Sequence, residues 1–266
     1  MRSNDPTIYA TPWIVTDITQ CYFYHTIDLP GIGTVQGTWD LRAGLTAYLG
    51  DCHFQGKRVL DVGAANGILS FSMEQCGAEV VSFDLDKNGD WDMVPFANWS
   101  EYEAIAQDRR AIIERLNNAY WFCHRLLQSK AKAVYGNVYR IPEQIGPVDV
   151  AVYGSILLHL RDPFLALQSG LKLTRETVIV TELLRGQVVP STEPYMGFLP
   201  DAATLDPKDV WWDLRPELIV RMIGVLGFQA MSVTHHIQKY EGRDNRMYTV
   251  VGRRTSGSYC SATTST

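Results

Sequence analysis

The residues of this chain with the clearest chemistry are carboxylates and glycines at short intervals. In "RVLDVGAANGILSF" (58–71), Asp61 precedes Gly63 and Gly67, and Ala65 stands between the two glycines. A glycine turn between a strand and a helix lets a nucleotide or nucleoside approach the backbone closely. A dinucleotide pyrophosphate asks for glycine at the first, third and sixth positions of the turn. Counted from Gly63, the third is Ala65 and the sixth Ile68, so two of the three fail. A turn for S-adenosylmethionine (SAM) has a leading acid and glycines at the first, third and fifth positions. Asp61, Gly63 and Gly67 meet that pattern, and Ala65 is its smallest possible departure.

A second carboxylate follows where either cofactor would need one. Asp84 ends the apolar run "EVVSF", with Leu85 and Asp86 beside it, and an acid there can accept hydrogen bonds from ribose hydroxyls. After the next apolar run, Asn137 and Val138 pair a polar with an apolar side chain, which suits the edge and face of an adenine. His159, in "LLHLRDP", follows the fourth run, and imidazole titrates in the range a general base needs. His25 lies in an aromatic lead-in that could cover the pocket, so His159 and His25 are the candidate catalytic residues. His235 and His236 are adjacent on a strand-like run and must point to opposite faces, which argues against a metal pair. Trp39 and Tyr153 are candidates to flank the cofactor. Arg109, Arg110, Arg115 and Arg125 could hold an anionic substrate, or form a solvated helix face.

These residues need elements to place them. Five buried, non-alternating runs ("KRVLDVG", "AEVVSFDLD", "KAVYGNVYRIP", "VDVAVYGSI", "ETVIVTE") interleave with helical patterns. That is the mark of a parallel sheet with helices on both faces. Ser100 and Glu103 read as a capping box opening a long helix whose apolar residues recur from Ile112 to Leu127. Asp162 and Pro163 start another helix. Two late runs joined by "QKYEGRD" predict an antiparallel edge. The expected fold is a Rossmann-like, seven-stranded, mostly parallel sheet. Residues 1–50 form the lead-in or cap and 51–254 the cofactor domain, with insertions at about 90–131 and 186–212 as a substrate lid; 255–266 read as a disordered tail. The insertions carry Trp91, Trp99, Trp121, Tyr195, Trp211 and Trp212, part acceptor site and part ordinary core.

The formal charge is -5 and no basic run occurs, which speaks against a nucleic-acid partner. Five irregularly spaced cysteines fit neither a disulfide framework nor a zinc site and suggest a reducing, cytoplasmic location. No stretch is apolar enough for a membrane span or a signal peptide.

The quoted turn, together with "VVSFDLD", "GNVYRIPEQIGPVDVAVYGSILLHLRDP" and "LGF…MYTVVGRR", resembles the class I SAM-dependent methyltransferases over about residues 20–254. It is most similar to the branch that holds the tRNA wobble-uridine carboxymethyl-transferring enzyme and its small-molecule relatives. "YHTIDLPGIGTVQGTWDLR" looks like that branch's lead-in, whose Trp-Asp-x-Arg element folds over the cofactor. The resemblance implies SAM held by Asp61, Gly63, Ala65, Gly67, Asp84, Leu85, Asn137, Val138 and Tyr153 and closed over by Trp39 and Arg42. The lead-in has no lysine and only Arg2 and Arg42, whereas carboxymethyl transfer needs a cation for the extra carboxylate. The expectation is therefore plain methyl transfer to oxygen, nitrogen or carbon of a small molecule. A tRNA-modifying enzyme, an NAD(P)-dependent oxidoreductase and a non-catalytic SAM-binding subunit are the alternatives.

Overall fold

The computed structural model describes residues 8–89, 91–97, 99–186 and 193–255. The expected disordered tail, apart from Thr255, lies outside the described residues, as do 187–192 of the second insertion. In the lead-in, β1 (Ile27–Leu29) and β2 (Gly33–Val35) form a small hairpin, followed by β3 (Trp39–Asp40) and the short helix α1 (Leu45–Tyr48). The alternating region then runs β4 (Arg58–Val62), α2 (Ile68–Gln75), β5 (Glu79–Asp84), α3 (Tyr102–Leu126), β6 (Lys132–Tyr135), β7 (Val148–Gly154), α4 (Pro163–Leu171) and β8 (Thr174–Leu183). It closes with β9 (Met196–Phe198), β10 (Trp212–Leu214), α5 (Pro216–Val225), β11 (Phe228–Tyr240) and β12 (Arg243–Arg254).

The main sheet has the order β3-β11-β12-β8-β7-β4-β5-β6. Strands β8, β7, β4, β5 and β6 are parallel, while β12 and β11 pair antiparallel. Seven of these are the expected strands. The eighth, β3, comes from the lead-in and pairs with the end of β11, Tyr240 against Trp39.

Alternation along the strands sends side chains to two cores. Val59, Val80, Val150 and Val152 pack with α2, α3 and the lead-in. Leu60, Val62, Val81, Ala151 and Tyr153 pack with α4 and α5. Because each face is covered, both parities are apolar, which explains the continuous apolar runs.

Two local readings change. Helix α3 begins at Tyr102, its N-cap is Glu101, and no side chain caps it, so the Ser100–Glu103 box does not form. Trp99 is buried and packs edge-on against Phe96 and Tyr102, and that aromatic contact sets how the chain enters the helix. The link between β11 and β12 is only Glu241-Gly242, both at positive φ, as tight two-residue hairpins require. The neighbouring residues of "QKYEGRD" belong to the strands.

Candidate functional site

Sheet order reverses at β4, which lies between β5 and β7, and a crevice opens at the carboxyl ends of the strands there. A cavity of about 650 Å³ fills that crevice, walled by the ends of β4, β5, β7 and β8 and roofed by Tyr22, Tyr24, His25 and Trp39 of the lead-in.

One half of the cavity is built on the glycine turn. Gly63 and Gly67 adopt φ of 81° and 90°, and Ala65 holds a left-handed φ of 50° that costs a non-glycine residue about 1–2 kcal/mol. A Cβ at Gly63 would meet Ile156 at 3.1 Å, and one at Gly67 would run into the Phe71 ring. Asp84 locks the turn: Oδ2 accepts from Ala65 N at 2.7 Å and Oδ1 from Leu85 N at 2.7 Å. Each oxygen keeps a lone pair for a further donor. Burial pushes the Asp84 carboxyl up to about 6, against the pull of those two N–H groups. Asn137 Oδ1 accepts from Tyr139 N at 2.8 Å, which leaves Nδ2 and one lone pair uncommitted. Gly63, Ala65, Asp84, Leu85, Asn137, Val138 and Trp39 all border the cavity. A carboxylate with spare acceptor sites, beside a turn kept open by glycine, fits the ribose and amino-acid ends of SAM.

Four of the residues expected at the cofactor do not border the cavity. Asp61 lies beneath the turn, where its Oδ2 accepts from Ser70 Oγ at 2.5 Å and burial pushes its carboxyl up to about 7. Ser70 connects onward through Ser82 to Tyr120, so Asp61 anchors α2 and α3 to β4 from below. Gly67 shapes the start of α2 rather than the wall. Tyr153 points to the opposite face of β7, fully buried, and its hydroxyl donates to the carbonyls of Ala166 and Leu167 in α4. Arg42 is taken by its own surroundings, with Nη1 on Asp28 at 2.7 Å and Nη2 on Asp40 at 2.8 Å.

Sequence reasoning passed over Asn66, which ties the roof to the turn. Fully buried, it accepts from His25 N at 2.8 Å and donates Nδ2 to His25 O at 3.0 Å. The signal was available: a polar residue between an alanine and a glycine in a buried turn needs a partner. His25 itself borders the cavity, and burial pushes its imidazole down to about 4, so it is neutral near pH 7. Its Nδ1 is buried without a hydrogen-bond partner. Ser155 was also missed; it borders the cavity just past β7 at a φ of 54°.

The other half of the cavity belongs to the two insertions. His159 Nδ1 lies 2.5 Å from the carbonyl oxygen of Asp209. A carbonyl can only accept, so Nδ1 carries the proton and Nε2 of the neutral ring keeps its lone pair. Burial lowers the His159 pKa; the Asp209 carbonyl and carboxylate oppose that, and the Arg185 and Arg109 cations add to it. Arg109 Nη2 pairs with Asp209 Oδ2 at 2.6 Å, and its guanidinium lies over the Trp91 ring. Of the other helix arginines, Arg115 donates to Cys21 O and Arg125 to Val15 O, both tying the lead-in to α3. Among the insertion aromatics, Trp99, Trp121 and Trp211 are core and Trp91 borders the cavity. His235 and His236 sit on opposite faces of β11, the second hydrogen-bonded to Thr249 and Gln238.

No protein-family model matches the chain, and no curated protein matches it in sequence. Among solved structures it is similar to a SAM-dependent methyltransferase from Methanosarcina mazei, at a TM-score of 0.52 and 13% identity over 74% of this chain and 92% of that one. It is also similar to the N-terminal domain of EvdMO1 with SAH bound, at 0.51 and 15% identity over 88% and 92%. A magnesium protoporphyrin IX methyltransferase from Synechocystis PCC 6803 aligns at 0.49 and 13% identity over 80% and 81%. The first two likenesses give the chain the Rossmann-like fold of the SAM-dependent methyltransferases. The finer resemblance to the wobble-uridine branch has no counterpart among these three structures.

Proposed function

We propose that this protein is a SAM-dependent methyltransferase acting on a small molecule. One observation carries the reading: a single cavity holds Asp84 at the end of β5 and His159 after β7. The first has spare acceptor sites for ribose, and the second is a neutral imidazole with a free lone pair. SAM, when bound, supplies a methyl group on a positively charged sulfur. The chain's part is to exclude water, align the acceptor and, for a hydroxyl acceptor, take its proton at His159 Nε2. That lone pair favours oxygen among the acceptor atoms. Gly63, Ala65, Asp84 and Leu85 would hold the ribose and amino-acid portions, with Asn137 and Val138 at the adenine. The lead-in would close over them through the Asn66–His25 clamp.

The dinucleotide alternative is poorly served by this turn. Ile68, at its sixth position, is buried against the core where that fingerprint needs glycine. Calorimetry with SAH and with NAD, followed by transfer from labelled SAM to a small-molecule extract and to total RNA, tests the proposal. We expect SAH binding and label in the small-molecule fraction. Binding of NAD alone would overturn the reading. Label in RNA would move the acceptor to nucleic acid, and SAH binding without any transfer would favour a non-catalytic subunit.

A further inference from the structure

Two arginines border the cavity, and they are in different states. Arg109 is neutralised by Asp209 at 2.6 Å. Arg185, just past the end of β8, forms no close ion pair among the described residues, and its Nε is buried without a hydrogen-bond partner; its charge acts at longer range on Glu182. The carboxylates on the same walls are already engaged. Asp84 accepts from the glycine turn. Asp92 accepts from the Tyr139 hydroxyl and from Arg161 N at 2.7 Å, and Asp209 holds Arg109. Glu182, three residues before Arg185, does not border the cavity; burial pushes its carboxyl up, against its backbone N–H partners and the pull of the Arg185 charge. A half-buried guanidinium with an unsatisfied Nε and no close ion pair is a ready partner for an anionic ligand.

The position of Arg185 says which ligand. It lies past β8, on the His159 side of the crevice, whereas the glycine turn and Asp84 lie past β4 and β5. The aromatic rings of Tyr22, Tyr24, Trp39, Trp91 and Tyr240 wall the same cavity, a surface suited to a planar acceptor. One unmatched cation suits one negative charge. Resting on the methyltransferase reading above, we infer that the acceptor is an aromatic carboxylic acid, its carboxylate paired with Arg185 while its methylated group faces His159. Guanidinium and carboxylate match as planar forks, and such charge-assisted pairs are the stronger hydrogen bonds.

The test uses the full chain with saturating SAH and follows thermal unfolding. The probes are para-hydroxybenzoate, salicylate and caffeate, each beside its uncharged amide, with phenyl phosphate as a dianion. SAH binding to each variant is measured separately by calorimetry. At least one acid should raise Tm by about 3–5 °C with its amide giving no shift. Arg185→Gln should abolish that shift and weaken the acid by about tenfold or more. Arg185→Lys should keep part of it, and both variants should bind SAH like the parent. Equal shifts from acid and amide, no shift from any acid, or an acid shift surviving in Arg185→Gln would overturn the inference. So would loss of SAH binding in a folded Arg185→Gln, because Arg185 would then serve the cofactor. A larger shift from phenyl phosphate would overturn the carboxylate assignment. Should Arg185→Gln not fold, the acid-against-amide comparison on the parent chain and Arg185→Lys decide. Failure of the parent chain to bind SAH would remove the methyltransferase reading instead, and the acid and amide would then be compared without it.

Discussion

Asp84 and His159 act as single groups, and their protonation can be followed directly. With its pKa pushed up to about 6, Asp84 is ionised above that pH and a full acceptor for ribose hydroxyls. Below it the carboxyl takes a proton and loses acceptor capacity, so SAH affinity should fall toward about tenfold per pH unit under pH 6 and stay level above. Calorimetry across that range checks the limb. Asp84→Asn should flatten it and cost about 1.5–3 kcal/mol of binding at pH 8. His159 has a lowered pKa, so it is neutral at pH 7 and gains a proton only on the acid side of its ordinary range. Its role as base predicts that His159→Asn lowers kcat about 10²–10⁴-fold with SAH affinity kept. A variant with unchanged kcat would leave His159 as a packing residue. Asp61 illustrates the limit of reading single residues. Its leading place in the turn motif is plain in the chain, but its side chain points below the sheet to Ser70. Strand alternation separates Asp61 from its neighbours, and only the packed helices say which face is the crevice.

At the scale of elements, the buried strands, the turn and the late antiparallel pair were legible because local patterns encode them. Buried strands need continuous apolar runs, and the glycines must take left-handed φ. The start of α3 was not legible, because the buried Trp99 and its aromatic neighbours override the local capping signal. The aromatic character of the lead-in was plain in the chain, but its attachment was not. It hangs on β3 pairing with β11, on Arg115 and Arg125, and on Asn66 holding His25. Asn66→Ala would leave the His25 N–H and carbonyl buried and unpaired, at a cost of about 2–4 kcal/mol for the two groups. We expect a lower Tm and faster hydrogen exchange across residues 22–40. Exchange unchanged there would show that the other ties suffice.

Across the whole molecule, the two insertions are tied together, as the proposed lid requires, although well over a hundred residues of chain separate parts of them. Val94 N donates to Lys208 O at 2.9 Å and Trp211 Nε1 to Asp92 O at 2.7 Å. The Arg109–Asp209 pair joins the two insertions beside the cavity, and the Asp209 carbonyl accepts from His159 Nδ1. Arg109→Gln should loosen this corner by about 1–3 kcal/mol, seen as a raised KM and faster proteolysis within the insertions. An unchanged KM would remove the pair from the lid's function. The chain alone laid down the alternating sheet, the open glycine turn and the acid at the end of β5, because each follows from residues close in sequence. The folded molecule settled which charges meet. Arg42 is consumed by Asp28 and Asp40, Arg109 by Asp209, and Arg185 borders the cavity with no close ion pair among the described residues. Ion pairs form between groups brought together by long-range packing, and no local pattern records which arginine will be left over.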